Sequence, residues 1–211
     1  MRWPLLLLLT ACLVGQLNSK AECAPATVCT SVGVDTSTAY SRDAVYLGEA
    51  IGQTFTAPDT IISSITVWRP ALYDTSYAGW HFYLFATDSL GRPDWQQLLV
   101  NGPTVYNYYG DGVHNIPMKF EFNPPLVLPQ TGVYEMAFHP EPCDGQFFFL
   151  YDYGNHYPDG TAWLHGRLSA CVPRPGPEGF PLLDMIFEIV FCDTTTPAKS
   201  TSWGELKSKY R

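Results

Sequence analysis

The stretch IPMKFEF, residues 116–122, alternates without a break: Ile116, Met118, Phe120 and Phe122 fall on one side, Lys119 and Glu121 on the other. A period of two sends successive side chains to opposite faces of an extended chain, so this stretch predicts a half-buried β-strand. The same signal recurs outward along the chain. It predicts strands at 51–57, 61–69, 80–87 (WHFYLFAT), 132–139 and 146–153, with a last one at 183–192. In that last strand Leu183, Met185, Phe187, Ile189 and Phe191 share the buried side. Turn residues punctuate the runs: GRPD at 91–94, YGDG at 109–112, NPP at 123–125, PDG at 158–160 and RPGP at 174–177. No window from 22 to 192 carries a helical stripe. Eight to ten short strands without helices predict an all-β fold, an antiparallel sandwich or barrel.

The N-terminus reads as a secretory leader. Arg2 supplies a positive start, 5–14 is apolar but too short to span a bilayer, and Ser19-Lys20-Ala21 offers a cleavage site after Ala21. A rival reading takes 9–12, LTAC, as a lipobox with Cys12 lipidated. No other segment is apolar enough to cross a membrane. Removing residues 1–21 removes Arg2 and Lys20 and no acid. That leaves 12 − 2 = 10 Lys+Arg against 20 Asp+Glu, a formal charge of −10. Such acidity argues against nucleic-acid binding, which needs a basic footprint. Five cysteines remain, Cys23, Cys29, Cys143, Cys171 and Cys192, and export makes disulfides the expectation. The preferred pairing is Cys143 with Cys171. Cys192 is left to meet Cys23 or Cys29, and a short Cys23–Cys29 loop stays open as the alternative.

The order IGQTFTAP (51–58), ISSITVW (62–68), FYLFATDSLGRPDWQQLLVNG (82–102), FEFNPPLVLPQTGVYEMAF (120–138), YGNHYPDGTAW (153–163) and LLDMIFEIVF (182–191) resembles a group of secreted bacterial jelly-roll modules. The likeness covers residues 48–192. It implies an eight- or nine-stranded β-sandwich related in architecture to carbohydrate-binding modules. It implies no activity, because such a fold hosts many functions.

Catalytic signatures are absent: there is no G-x-S-x-G, H-E-x-x-H, Walker loop or G-x-G-x-x-G. Glu121, Glu135, Asp152, Asp159 and Glu188 offer carboxylates for glycoside hydrolysis, but nothing in their spacing singles out a pair. His81, His114, His139, His156 and His165 lack metal-site spacing, and each is read as part of a hydrogen-bond network. Sugar binding needs flat aromatic rings beside polar groups that read hydroxyls. Two aromatic loops supply them: Tyr73 and Tyr77 with Trp80, and Tyr106, Tyr108 and Tyr109 with Asp111. A structural Ca²⁺ is an expectation for Asp111, Asp152 and Asp159, with Asn155 nearby, although no EF-hand spacing is present. The crowded stretch YDYGNHYPDGTAWLHG (151–166) reads as a strand–loop–strand corner, with Tyr157 at its tip bordering a ligand.

After Cys192 the composition changes. Residues 193–200 read as a linker, and 201–211 as a short amphipathic helical tail. Ser202 and Glu205 have capping-box spacing, and Trp203, Leu206 and Tyr210 share a face. The ending W-G-x-L-K-x-x-Y-R resembles tails of other exported bacterial proteins, which implies a tag read by sorting or anchoring machinery. The sequence therefore predicts a secreted or cell-surface binding module at 22–192, non-catalytic, for polysaccharide or glycosylated surfaces. A structural or adhesive surface protein is the alternative, and a glycoside hydrolase ranks below both.

Overall fold

The alternation at 116–120 is realised residue for residue: Ile116, Met118 and Phe120 are buried, while Pro117, Lys119 and Glu121 face out. In the computed structural model the described residues are 28–46, 49–71, 79–106, 111–166 and 177–193, all within one compact unit, Thr27–Thr194. They form thirteen strands: β1 (Val28–Val34), β2 (Ser41–Tyr46), β3 (Ala50–Ala57), β4 (Ile61–Arg69), β5 (Gly79–Thr87), β6 (Pro93–Val105), β7 (Ile116–Val127), β8 (Gly132–Glu141), β9 (Gln146–Tyr153), β10 (Ala162–His165), β11 (Glu178–Phe180), β12 (Leu183–Met185) and β13 (Phe187–Asp193). A single 3-10 turn, Thr36–Thr38, is the only helical element among the described residues.

The strands pair in antiparallel fashion into three sheets. One has six strands in the order β11-β10-β3-β8-β5-β6, one has four in the order β1-β13-β4-β7, and one has three in the order β12-β9-β2. The two smaller sheets meet where β12 gives way to β13. Ile186 lies at that break, and its N–H donates to the Leu150 carbonyl at 3.1 Å. Both smaller sheets face the six-stranded one across a common core. Phe82 and Phe138 of the large sheet pack on Phe120 of β7 at 5.6 and 5.3 Å between ring centroids. Trp80 stacks on Phe147 of β9 at 4.1 Å. This is a β-sandwich whose core is filled by the alternate, apolar side chains of each layer.

Several strands depart from the sequence expectation. NPP at 123–125 was expected to turn the chain, yet β7 runs on to Val127. β7 is an edge strand, and its pairing with β4 jumps from Ser64↔Glu121 to Ile62↔Leu126. The prolines fall in that irregularity, where no ladder N–H is required. The 183–192 run is two strands, because Ile186 is buried at a break in the alternation. β6 was not expected; Leu98 and Leu99 are exposed along it, and its register on β5 shifts three times, so no clean period shows in the sequence.

Cys29 and Cys192 are joined, opposite each other in the β1–β13 ladder with Cα atoms 4.1 Å apart. This selects Cys29 over Cys23 as the partner of Cys192 and rules out the Cys23–Cys29 loop. Cys143 is also disulfide-bonded. Cys23, Cys171, the leader with Cys12, the linker beyond Asp193, and the tail with Trp203, Leu206 and Tyr210 lie outside the described residues.

Candidate functional site

The corner at 151–166 is architecture. Asn155 takes the left-handed conformation at φ 50°, which turns the chain out of β9. Asp184 then holds the loop from beneath. Its Oδ2 accepts from the Tyr157 N–H at 2.9 Å, and its Oδ1 accepts from Gln53 Nε2 at 3.2 Å. Gln53 cannot turn over, because its Oε1 accepts from the Met185 N–H at 3.0 Å. Burial raises the Asp184 carboxyl above the usual aspartate value. Tyr157 is itself buried, and its hydroxyl accepts from the Thr56 N–H at 3.0 Å. Gly160 lies too close to the Thr54 carbonyl to admit a side chain. Tyr157 is therefore a structural anchor and presents no ring to a ligand.

The expected calcium trio does not converge. Asp111 is exposed and accepts from the N–H groups of Val113 and His114 and from the His114 ring. The His114 N–H, first among these, holds its pKa well below the usual aspartate value. Asp152 is buried, paired with His156 and directly opposite Asp184. Asp159 is exposed, and its backbone carbonyl serves Thr56 Oγ1. The carboxylates of Asp111 and Asp152 are each committed to their own loop or corner, and no cluster of three metal-ligating acids or histidines among the described residues includes any of the trio. Trp80 also falls away as a binding ring. Even-numbered positions of β5 point into the core, so Trp80 is fully buried between Phe138 and Phe147. Tyr73, Tyr77, Tyr108 and Tyr109 lie outside the described residues.

Among the described residues, functional side chains gather on the outer face of the six-stranded sheet. With Trp80, Phe82 and Leu84 turned inward, β5 presents His81, Tyr83 and Phe85 outward. The neighbouring β8 presents Ala137, His139 and Glu141 on the same side, in register: His81 opposes His139 and Gly79 opposes Glu141. From β6 come Asn101 and Thr104. His81 Nδ1 lies 2.7 Å from Thr104 Oγ1, and its Nε2 lies 2.6 Å from Asn101 Oδ1. The His81 and His139 rings stack at 5.0 Å. The Pro140 carbonyl accepts from His139 Nδ1 at 2.7 Å, which leaves Nε2 to accept from the Tyr83 hydroxyl at 3.0 Å. Burial lowers the His139 pKa and raises that of Tyr83. Tyr106, 51% exposed, ends the row. Its ring lies over the Gly79 backbone, where an added Cβ would come within 2.5 Å of it. An accessible aromatic ring thus borders a cluster of half-buried polar groups. The undescribed stretches 72–78 and 107–110 adjoin this end in sequence, directly before β5 and directly after Tyr106.

Farther along the same face, Glu135 and His165 are fully buried, with His165 Nε2 and Glu135 Oε1 2.5 Å apart. Trp95 caps them, its ring 4.3 Å from His165 and 4.6 Å from Phe85. Glu135 Oε2, His165 Nδ1 and Trp95 Nε1 have no hydrogen-bond partner among the described residues. Gly52 has no room for a side chain because Glu135 fills that space. Desolvation raises the Glu135 pKa. A cleft of about 460 Å³ at the opposite end of β5 and β8 holds little chemistry, since its acid, Asp88, is bound to the Leu90 and Arg92 N–H groups and the Arg92 side chain.

Sequence reasoning missed His81, Asn101, Thr104, His139 and Glu141. The outward parity of His81 and His139 on their strands was readable, whereas β6, which carries Asn101 and Thr104, was not. Nor was the pairing that brings Tyr83 against His139, 56 residues away.

No known protein family matches this chain, and no curated protein matches it. Among solved structures it is similar to the cysteine protease and lectin-like domains of Cwp84, a surface layer associated protein of Clostridium difficile. The identity is 11% and the TM-score 0.40; the match covers 71% of this chain and 35% of that one. The chain thus corresponds to about a third of that structure's length.

Proposed function

We propose that this protein is a non-catalytic binding module for polysaccharide or glycosylated surfaces, and that its ligand docks on the outer face of β5, β6 and β8. The exposed Tyr106 ring beside His81, Asn101, Thr104 and Glu141 carries this reading. A flat ring offers an apolar platform for the C–H face of a pyranose, and nearby directional polar groups read its hydroxyls. The disulfide-bonded state of Cys29, Cys192 and Cys143 favours an exported protein, and no helix among the described residues is long and apolar enough to cross a membrane. The absence of catalysis is part of the proposal. Asp152 and Asp184 are the one directly opposed acid pair in the described ladders, and both are buried and engaged in holding the corner.

A second aromatic surface supports the alternative of protein adhesion. Tyr40 and Tyr153 are 74% and 60% exposed and lie 6.1 Å apart, with Tyr151 beside Tyr153 at 6.0 Å. The test is retention of the oxidised protein on a panel of immobilised polysaccharides. Binding to one class that is lost in Tyr106→Ala and kept in Tyr153→Ala supports the glycan reading. Retention on none refutes it. The C-terminal tag is a separate proposal: deletion of 200–211 should release the protein from its site of retention in its native cell, and unchanged retention would sink that idea.

A further inference from the structure

We propose that His81, His139 and Glu141 form a binding site for a divalent transition cation, zinc foremost. The three side chains come from two adjacent strands, and their ligand atoms lie within 4.8 Å of one another. Two ligands bound 2.0–2.1 Å from a tetrahedral zinc stand about 3.3 Å apart, so closure asks for small side-chain rotations and no change of register. The ladder supplies the preorganisation. His81 and His139 are directly opposed, and Glu141 lies two residues beyond His139 on the same face.

The surrounding hydrogen bonds suit a metal. The Pro140 carbonyl accepts from His139 Nδ1 at 2.7 Å, which fixes the tautomer and leaves a lone pair on Nε2. Metal-bound histidines are held in this way, by a carbonyl or carboxylate on the other ring nitrogen. That lone pair now accepts from Tyr83, and His81 shares its nitrogens with the polar groups of Thr104 and Asn101. Each of these partners is a neutral hydroxyl or amide that a cation displaces from the ligating nitrogen. Two imidazoles and one carboxylate suit zinc and its transition-metal neighbours, whereas calcium prefers six to eight oxygens. Three protein ligands leave a coordination position for water or a ligand oxygen. The site stands whether or not the face binds a glycan.

The test is titration of the chelator-treated, oxidised protein with Zn²⁺ alone by calorimetry, with Co²⁺ absorption as a second readout. The expected result is one site per chain, unaffected by excess Ca²⁺, and a cobalt d–d spectrum of nitrogen–oxygen ligation. His81→Gln and Glu141→Gln should each weaken zinc binding at least about tenfold. Glu178→Gln, at an exposed acid on β11, should leave it unchanged. Both weakened variants involve half-buried residues, and their metal-free melting temperatures are to be matched with the parent. Absence of zinc binding overturns the proposal. So does zinc binding that both substitutions leave intact, because the metal then sits elsewhere.

Discussion

Asp184 ties three separated parts of the chain together, and its replacement gives the sharpest test of the fold. Its two oxygens serve two buried donors, Gln53 Nε2 and the Tyr157 N–H. In Asp184→Ala the Tyr157 N–H loses its acceptor, at about 1–3 kcal/mol, and Gln53 Nε2 keeps only the Thr54 carbonyl at 3.3 Å, at about 0.5–1.5 kcal/mol, so the loss should total about 1.5–4.5 kcal/mol. Asp184→Asn keeps one acceptor and puts an amide donor where the other stood. Gln53 cannot compensate by flipping, since Met185 holds its Oε1. One of the two contacts is lost, and the loss should be about 0.5–3 kcal/mol. Urea unfolding of the oxidised protein at pH 7 reads both values. The pH profile adds a second readout. Burial raises the Asp184 pKa above 3.8, so between that value and the raised one the folded state binds more protons than the unfolded state. Stability from this group is then fully present at low pH and falls as pH rises through the folded pKa. The difference between parent and Asp184→Asn should carry that slope. If both variants stay within about 0.5 kcal/mol of the parent, the corner is not held as described.

Two further outcomes follow from the core. Trp80→Ala should cost about 3–5 kcal/mol in the same unfolding assay, because the ring is fully buried against Phe138 and Phe147; a small loss would mean that the ring is not core. Replacing Cys29 and Cys192 together by serine opens a link between residues 163 apart, for which the chain-entropy treatment gives up to about 5 kcal/mol; an unchanged denaturation midpoint would refute that link's contribution.

The sandwich was legible because period two survives wherever a strand has one buried face. Ile61–Arg69 and Gln146–Tyr153 match their predicted limits, and Gly132–Glu141 and Gly79–Thr87 extend them by a residue or two. It failed where packing overrides alternation: at Ile186, buried between two strands, and along β6, which has exposed leucines and a shifting register. Aromatic content pointed to both Trp80 and Tyr106, but only strand parity separates them. Trp80 is an inward position of β5, whereas Tyr106 follows the end of β6 and stays exposed. The histidine–glutamate cluster has no local signature. It exists because β5 and β8 are neighbours, and that adjacency is a property of topology. An acid inside an apolar strand needs buried donors, and the fold supplies two to Asp184 from residues far away in sequence.

The outer face of β5, β6 and β8 is the proposed binding surface. The most direct measurement is backbone amide chemical-shift mapping of the oxidised protein with a soluble fragment of whichever polysaccharide retains it. Concentration-dependent shifts are expected to centre on residues 79–83, 101–106 and 139–141, and to be lost in Tyr106→Ala with the rest of the spectrum intact. Shifts centred instead on Tyr40, Tyr151 and Tyr153 would contradict it.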